Sequence, residues 1–484
     1  MQTQQRSETY KLYLRGQWIA TEREIEVIDP ATEQVFARVS TVDLRQVQDA
    51  LCAAEDAFTR WRRLTAKERG TFLQRVADEV KRRQDEIARI ITLENGKPLG
   101  QSMAEVAMTE DHLRWFAEEG RRAYGRSIPH QVTGKRNFVV KTPIGVVGAI
   151  APWNFPLVLA VRKVAPALAA GCPVVLKPAS QTPLSSILFA QCIDAAGIPA
   201  GVFQLVVGDA KMIAREFLSN PICRKISFTG STSVGRELIR GAAESVKPLS
   251  LELGGLAPLL VFDDCDLDLA VQQTLIAKFR NTGQSCIAAN RVYVQRNIRD
   301  AFLERFVAGV KTLKMSPGLE PGADVGPLIN RRALEGALAQ VEDAVRHGGK
   351  VLCGGKRADM PGYFLEPTVI DGAAERMLCM QEETFAPVAP IATFETEEEA
   401  ITHANGSPFG LSAYAMTRNI GRMFRLSERI EAGTLGINDG APTTSTSPFG
   451  GVKQSGWGRE LGTEGLDAFL ETKHVSVGGI EQLY

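Results

Sequence analysis

From residue 145 to residue 255 short apolar runs rich in β-branched residues alternate with segments long enough for a helix, and this alternation limits the possible folds more than any other feature. The runs are GVVGAI from Gly145, PVVLKP at 173–178, FQLVVG at 203–208, KISFTG at 225–230 and LSLELGG at 249–255. Between them lie LVLAVRKVAPALAAG, LSSILFAQCIDAAG, AKMIAREFLSN and SVGRELIRGAAE, two of which end on the glycine that commonly stops a helix. Strand and helix at this spacing make βαβ units. The packed solution is an α/β fold in which a parallel sheet is covered by helices, with ligands bound beyond the carboxyl ends of the strands.

The rest of the chain is organised around this stretch. Its 484 residues exceed what one hydrophobic core usually organises, so two or three units are expected. Before residue 141 come strand-like pieces at Leu12–Ile19 and Glu26–Ile28, then a charged helical layer from Asp43 to Glu119. A second α/β alternation runs from about 257 to 445, with strand candidates at 258–262, 291–295, 350–352 and 433–437. The tail from 447 is glycine-rich and closes on ETKHVSVGG, which alternates as an edge strand does.

Several function classes fall away early. The 56 basic side chains balance 56 acidic ones, so net charge recruits neither nucleic acid nor an anionic membrane. TPIGVVGAIAPWNFPLVLAV, from Thr142, carries no charge, yet Pro143, Pro152 and Pro156 break it into a strand, a loop and a helix start. The N-terminus lacks the apolar core of a signal peptide, so a cytoplasmic location is expected. Eight cysteines are scattered without a CxxC pair and apart from the five histidines, which argues against a metal site and against a disulfide framework.

Five motifs carry chemistry, each beside a plainer reading. FTGSTSVGRE at 228–237 stands where a strand gives way to a helix, and the free N–H groups there suit a phosphate, although the spacing is neither a dinucleotide fingerprint nor a P-loop. Lys177 in LKPASQTP projects at a strand end and could hold ribose or phosphate, or be a solvated lysine. PWNFP pins Asn154 between prolines, as a mount for an amide donor or as a simple turn. Glu252 in LELGG lies in an apolar strand, where a carboxylate is a general base or a buried structural group. Cys286 in KFRNTGQSC is an inert core thiol, a metal ligand or a nucleophile, and no histidine stands near it in sequence.

PWNFP, LKPASQTP, FTGSTSVGR, LELGG, GQSC, EETFAPV at 382–388 and PFGGVKQSG at 448–456 together resemble the aldehyde dehydrogenase superfamily, in that order and across nearly the whole chain. The resemblance implies a Rossmann-type NAD(P)-binding domain from 1–121 and 143–252, a catalytic domain from 253–446, and a small β oligomerisation unit from 122–142 and 447–484, hence a homodimer or homotetramer. It implies that Cys286 attacks the aldehyde to give a thiohemiacetal, that Asn154 and the Cys286 N–H stabilise its oxyanion, and that hydride then passes to the nicotinamide. Glu252 would activate the water that hydrolyses the thioester. Trp153, Lys177, Ser180, Gly230, Ser231, Gly235 and Leu253 would line the adenosine and pyrophosphate end, and Glu383 and Phe385 the nicotinamide end. Ser180 stands where a glutamate often selects NAD, so NADP is expected to be preferred or at least accepted, with NAD possible.

KFRNTGQSC also resembles the succinate-semialdehyde dehydrogenase subfamily. By that resemblance Arg280, six residues before the nucleophile, and Arg162, eight after Asn154, would bind the substrate's remote carboxylate together with Thr443. The plainer reading of either arginine is a salt bridge to a neighbouring helix. Ala288 stands where many subfamily members carry a second cysteine, so a disulfide switch is not expected. Thr443 and the loop DGAPTTSTS depart from the subfamily's usual wording, which leaves glutarate semialdehyde and sulfolactaldehyde as alternatives to succinate semialdehyde. A broad-specificity aldehyde dehydrogenase, or a structural member of the crystallin kind, completes the range. Arg291 has no assigned role.

Overall fold

The computed structural model describes residues 9–479. The five runs from 145 to 255 form the strands Val146–Ile150, Val174–Lys177, Phe203–Leu205, Cys223–Thr229 and Leu249–Glu252. Each is parallel to its neighbours in this set. Nearly all their residues are buried, which explains why they read as continuous apolar runs and not as alternating ones. Val146–Ile150 lies in the middle. The next two strands in sequence stack on one side of it and the last two on the other. Chain order therefore reverses beside Val146–Ile150, and a crevice opens beyond the carboxyl ends of this strand and of Cys223–Thr229.

Antiparallel strands extend both edges of this sheet. The hairpin of Leu12–Leu14 and Gln17–Ile19 adds beside Phe203–Leu205, and Gly456–Trp457 adds beside Leu249–Glu252, with Glu252 opposite Gly456. The second pairing carries the PFGGVKQSG segment to the strand that ends in Glu252.

A second, seven-stranded sheet has the order Lys350–Cys353, Thr368–Asp371, Val388–Phe394, Ala289–Gln295, Ala257–Val261, Ser412–Met416 and Thr434–Ile437. It is parallel except for its first pair. The expected strands at 258–262, 291–295, 350–352 and 433–437 are all present. Those at 368–371, 388–394 and 412–416 complete the sheet.

A third sheet of Leu470–Val477, Arg136–Pro143 and Arg126–Ile128 pairs Leu470 with Pro143 and Val477 with Arg136. Only the end of the 447–484 stretch joins it. Of its earlier residues Gly456–Trp457 adds to the open edge of the first sheet, while Val452–Lys453 pairs with Phe409–Gly410.

One helix bears directly on the site. Val158–Ala170 is buried along its whole length, packed against Leu99–Glu119 and the sheet, yet it contains Arg162 and Lys163. A cation on a wholly buried helix must be paired, hydrogen-bonded or kept for a ligand. Among the described residues no helix is long and apolar enough to cross a membrane.

Candidate active site

The helix Leu267–Phe279 ends at Arg280, and the next three residues all turn left-handed: Asn281 at φ 52°, Thr282 at φ 59° and Gly283 at φ 73°. For the two residues that carry a Cβ this costs about 1–2 kcal/mol each, so tertiary contacts must hold the turn. The Asn281 amide donates to the carbonyls of Asn154 at 2.8 Å and Gln284 at 3.1 Å. Thr282 Oγ1 bonds both the carbonyl and the N–H of Gly326. Gln284 accepts from Ile329 N–H at 2.8 Å. Gly283 is required because a Cβ there would lie 2.3 Å from the Ala386 carbonyl oxygen. The turn so fixed delivers Cys286 to the switch-point crevice.

That crevice is a cavity of about 220 Å³, and Cys286, Asn154, Trp153, Gly230, Ser231, Leu253, Glu383 and Phe385 line it. A wider groove of about 550 Å³, lined in part by Arg62, Arg224 and Lys247, holds none of them. Asn154 Nδ2 donates to the Gln284 carbonyl at 3.1 Å, which orients the amide and leaves its other N–H for a ligand. Trp153 and Phe385 meet edge to face at 5.4 Å. Phe385 itself sits at φ 45°, a strained backbone on the cavity wall. Glu383 accepts from Gly255 N–H at 3.4 Å, and burial pushes its carboxyl up to about 8. Ser231 caps the helix Thr232–Ala243, accepting from Val234 N–H, and Gly235 lets that helix approach Leu253, since a Cβ there would come within 2.6 Å of the Leu253 side chain.

Lys177, Ser180, Gly235, Glu252, Arg162, Arg280 and Thr443 stand outside the lining of this cavity. Lys177 is buried, its ammonium donating to the Pro178 carbonyl at 2.9 Å, and burial lowers it to about 8, against the reading of a solvated lysine. Ser180 is partly exposed. A dinucleotide fits this set. The uncovered N-terminus of Thr232–Ala243 suits a pyrophosphate, and the Glu383 carboxylate suits a ribose hydroxyl.

The thiol and the carboxylate form an electrostatic unit. Burial pushes Cys286 up to about 12, the charge of Glu383 adds to this, Arg162 opposes it and Glu252 reinforces it. Glu252 is 3% exposed and neither carboxylate oxygen has a hydrogen-bond partner among the described residues, so burial first and then Glu460 drive its pKa well above the carboxylate range, while Lys163 and Arg162 pull it back. Lys163 Nζ pairs with Glu460 at 2.5 Å and donates to Thr229 Oγ1 at 2.6 Å. Sequence reasoning missed Lys163 and Glu460. The signal was a lysine in an otherwise apolar helix and a glutamate in the glycine-rich tail, which pair only through the fold.

Among the described residues neither arginine makes an ion pair. Arg162 is 6% exposed, its Nε is unpartnered, its guanidinium lies 4.8 Å from the Phe449 ring, and it makes no ion pair among the described residues. Arg280 is partly buried 5.7 Å from the Phe155 ring, likewise without an ion pair. The two are near enough for the charge of Arg280 to act on Arg162. Thr443 Oγ1 is buried with no hydrogen-bond partner among the described residues. The salt-bridge reading of both arginines therefore does not apply. Arg291, by contrast, is fully used: it donates to the carbonyls of Leu256, His403 and Ala404, and its work is structural.

The aldehyde dehydrogenase family model matches residues 18–475. The chain is 45% identical over 470 residues to the glutarate-semialdehyde dehydrogenase of Pseudomonas aeruginosa, covering 97% of each. It is 44% identical to the NADP(+) succinate-semialdehyde dehydrogenase of Escherichia coli, covering 96% of this chain and 97% of that one. The crystal structure of succinate-semialdehyde dehydrogenase from Burkholderia pseudomallei superposes with a TM-score of 0.96 at 45% identity, over 97% of this chain and 98% of that one. The chain belongs to the aldehyde dehydrogenase family, as an NAD(P)-dependent oxidoreductase acting on aldehydes.

Proposed function

We propose that this enzyme oxidises a short aldehyde carrying a remote anionic group, with succinate semialdehyde, giving succinate, as the leading substrate. The observation that carries this is the buried Arg162, which makes no ion pair among the described residues. A desolvated guanidinium costs several kcal/mol unless an anion joins it, and a second arginine and an unpartnered hydroxyl from Thr443 answer the same need. Guanidinium forks bind carboxylate or sulfonate in two-point fashion. The names of the similar proteins, succinate- and glutarate-semialdehyde dehydrogenases, support the same class.

In this reading Glu252 takes the Cys286 proton as sulfur attacks the aldehyde carbon. The resulting thiohemiacetal oxyanion is held by the free N–H of Asn154. The bound nicotinamide supplies the hydride acceptor. Loss of hydride from the thiohemiacetal carbon leaves a thioester; Glu252 passes its first proton to solvent, then takes one from water as water adds to the thioester, and returns it to the departing Cys286 sulfur. Its raised pKa makes Glu252 a stronger base once ionised. Trp153, Gly230, Ser231 and Leu253 wall the cofactor cleft, and Glu383 and Phe385 its inner end. Lys177 and the uncharged Ser180 accommodate a 2′-phosphate, so NADP is preferred or accepted, with NAD possible.

The three-stranded sheet leaves Phe138, Val140 and Val477 exposed in the single chain. These exposed apolar side chains suit burial against another copy of the chain, and we assign this sheet to a homo-oligomeric contact. We propose domain limits of 1–121 and 143–252 for the cofactor, 253–446 for catalysis, and 122–142 with 447–484 for assembly, although Gly456–Trp457 of the last stretch pairs with the cofactor sheet.

Steady-state kinetics on succinate semialdehyde, glutarate semialdehyde and sulfolactaldehyde, in wild type, Arg162→Ala and Arg280→Ala, test the substrate class. The proposal expects KM for the acidic aldehydes to rise at least tenfold in both variants. Unchanged KM in both would refute the anion pocket, and the ranking of the three aldehydes selects among them.

A further inference from the structure

The loop that carries Asn154 is gripped from behind by a buried ion pair. Lys97 and Glu105 are both fully buried and meet at 2.7 Å. Lys97 Nζ also donates to the Asn154 carbonyl at 2.7 Å, and its ammonium stands 3.9 Å from the centre of the Phe155 ring. The second carboxylate oxygen of Glu105 accepts from the N–H groups of Leu157 at 2.9 Å and Val158 at 3.2 Å, where the helix Val158–Ala170 begins. One charge therefore holds the carbonyl at the amide donor, and the other holds the first turn of the helix bearing Arg162 and Lys163.

The same Asn154 carbonyl accepts from Asn281, in the strained turn before Cys286. Asn95, two residues before Lys97, donates to the Trp153 carbonyl at 3.0 Å. The close packing continues outward: a Cβ on Gly318 would lie 2.3 Å from the Lys97 carbonyl oxygen, and one on Gly326, the partner of Thr282, 2.1 Å from the Gly96 carbonyl oxygen. The Asn154 peptide is thus the point at which the Asn95–Glu105 segment, the amide loop and the nucleophile turn are bonded to one another.

A buried pair is not a general source of stability, because desolvating two charges offsets most of their attraction. Here the geometry supplies another role. An oxyanion donor acts only if it is fixed before the charge develops, and a shift of about 1 Å can cost a hundredfold. We infer that Lys97, with Glu105 and Asn281, is a positioning group that sets the Asn154 amide against Cys286 for carbonyl chemistry. This rests on the proposed roles of Asn154 and Cys286.

Acylation of the cofactor-free protein by p-nitrophenyl acetate, which passes through a tetrahedral oxyanion, is compared with alkylation of Cys286 by iodoacetamide, which does not. Lys97→Met, Lys97→Met/Glu105→Leu, Asn281→Ala and Asn154→Ala are measured, with Lys97→Arg as the conservative variant. The inference expects acylation to fall at least tenfold in Asn281→Ala and in the double variant, which leaves no buried charge unpaired. Alkylation stays within threefold of wild type, and Lys97→Arg recovers part of the loss seen in Lys97→Met. Equal losses in both reactions, or unchanged acylation in Asn281→Ala and the double variant, overturn it. Asn154→Ala separates the two levels: if it acylates normally, the proposed oxyanion site fails; if it is impaired while the others are not, only the positioning inference fails.

Discussion

Replacing Arg162 by methionine separates binding from stability. The side chain is 6% exposed, its Nε has no partner, and no carboxylate pairs with it among the described residues. Removing one member of a buried ion pair costs about 3–5 kcal/mol; Arg162 makes no such contact pair among the described residues, although the charges of Glu460 and Glu252 act on it from nearby. Opposing the change is the contact with the Phe449 ring, 4.8 Å away, of a kind that contributes about 0.5–2 kcal/mol. In its favour is relief of the guanidinium's desolvation, several kcal/mol in real proteins. The balance predicts a melting temperature equal to or above that of wild type. Catalysis moves the other way. A charged hydrogen bond to the substrate contributes about 1.5–3 kcal/mol, which at about 1.4 kcal/mol per tenfold lowers kcat/KM for succinate semialdehyde by roughly 10- to 150-fold. Butanal, similar in length and uncharged, keeps its kcat/KM within threefold. The assays are cofactor reduction at 340 nm with both aldehydes and a thermal melt of the cofactor-free protein. A melt lowered by many degrees would mean that Arg162 is a structural pair after all, and equal losses on both aldehydes would mean that it does not read the anion.

Ser180→Glu places a carboxylate where the 2′-phosphate is expected, and titration by fluorescence should show NADP binding weakened at least tenfold with NAD weakened less. For Glu252 the sign of the pH effect is fixed by the direction of its shift. Its folded pKa lies above the unfolded value near 4.5, so its contribution is full below that pH and is lost as pH rises through the folded pKa. Over that window wild type loses about 1.4 kcal/mol per pH unit from this group, and Glu252→Gln should show a flatter stability profile toward alkaline pH in denaturant melts. Because the Cys286 thiol lies near 12, its alkylation by iodoacetamide, followed on the Cys286 peptide by mass spectrometry, should rise about tenfold per pH unit between 7 and 9. A plateau below pH 8 would show that the thiolate forms more readily than burial allows.

Much of the fold was legible because its signal is local. The five buried runs and their intervening helices follow from apolar pattern and length. The strands at 368–371, 388–394 and 412–416 were missed among weaker patterns, and pairing within the second sheet is what stabilises them. Seven motifs in order single out Cys286, Glu252 and Asn154, of which Cys286 and Asn154 line one cavity, and each sits on a particular local backbone: a left-handed turn, a strand end, a proline-pinned loop. Lys163 with Glu460, and Lys97 with Asn154, were not legible in the same way. Their partners lie far apart in sequence, and nothing local distinguishes a lysine that meets a carboxylate in the core from one that points to solvent.

The sequence by itself determined the α/β alternation, the identity of the chemical groups and the absence of any charge bias toward nucleic acid, because these depend on residue type and short-range pattern. Tertiary structure alone decided which cations are paired. Lys163, Lys97 and Arg291 are satisfied by carboxylates and carbonyls that the chain's crossovers bring to them, whereas Arg162 and Arg280 make no ion pair among the described residues. A charge taken out of water must find its compensation at contact distance, and only the packed chain sets which groups stand at that distance.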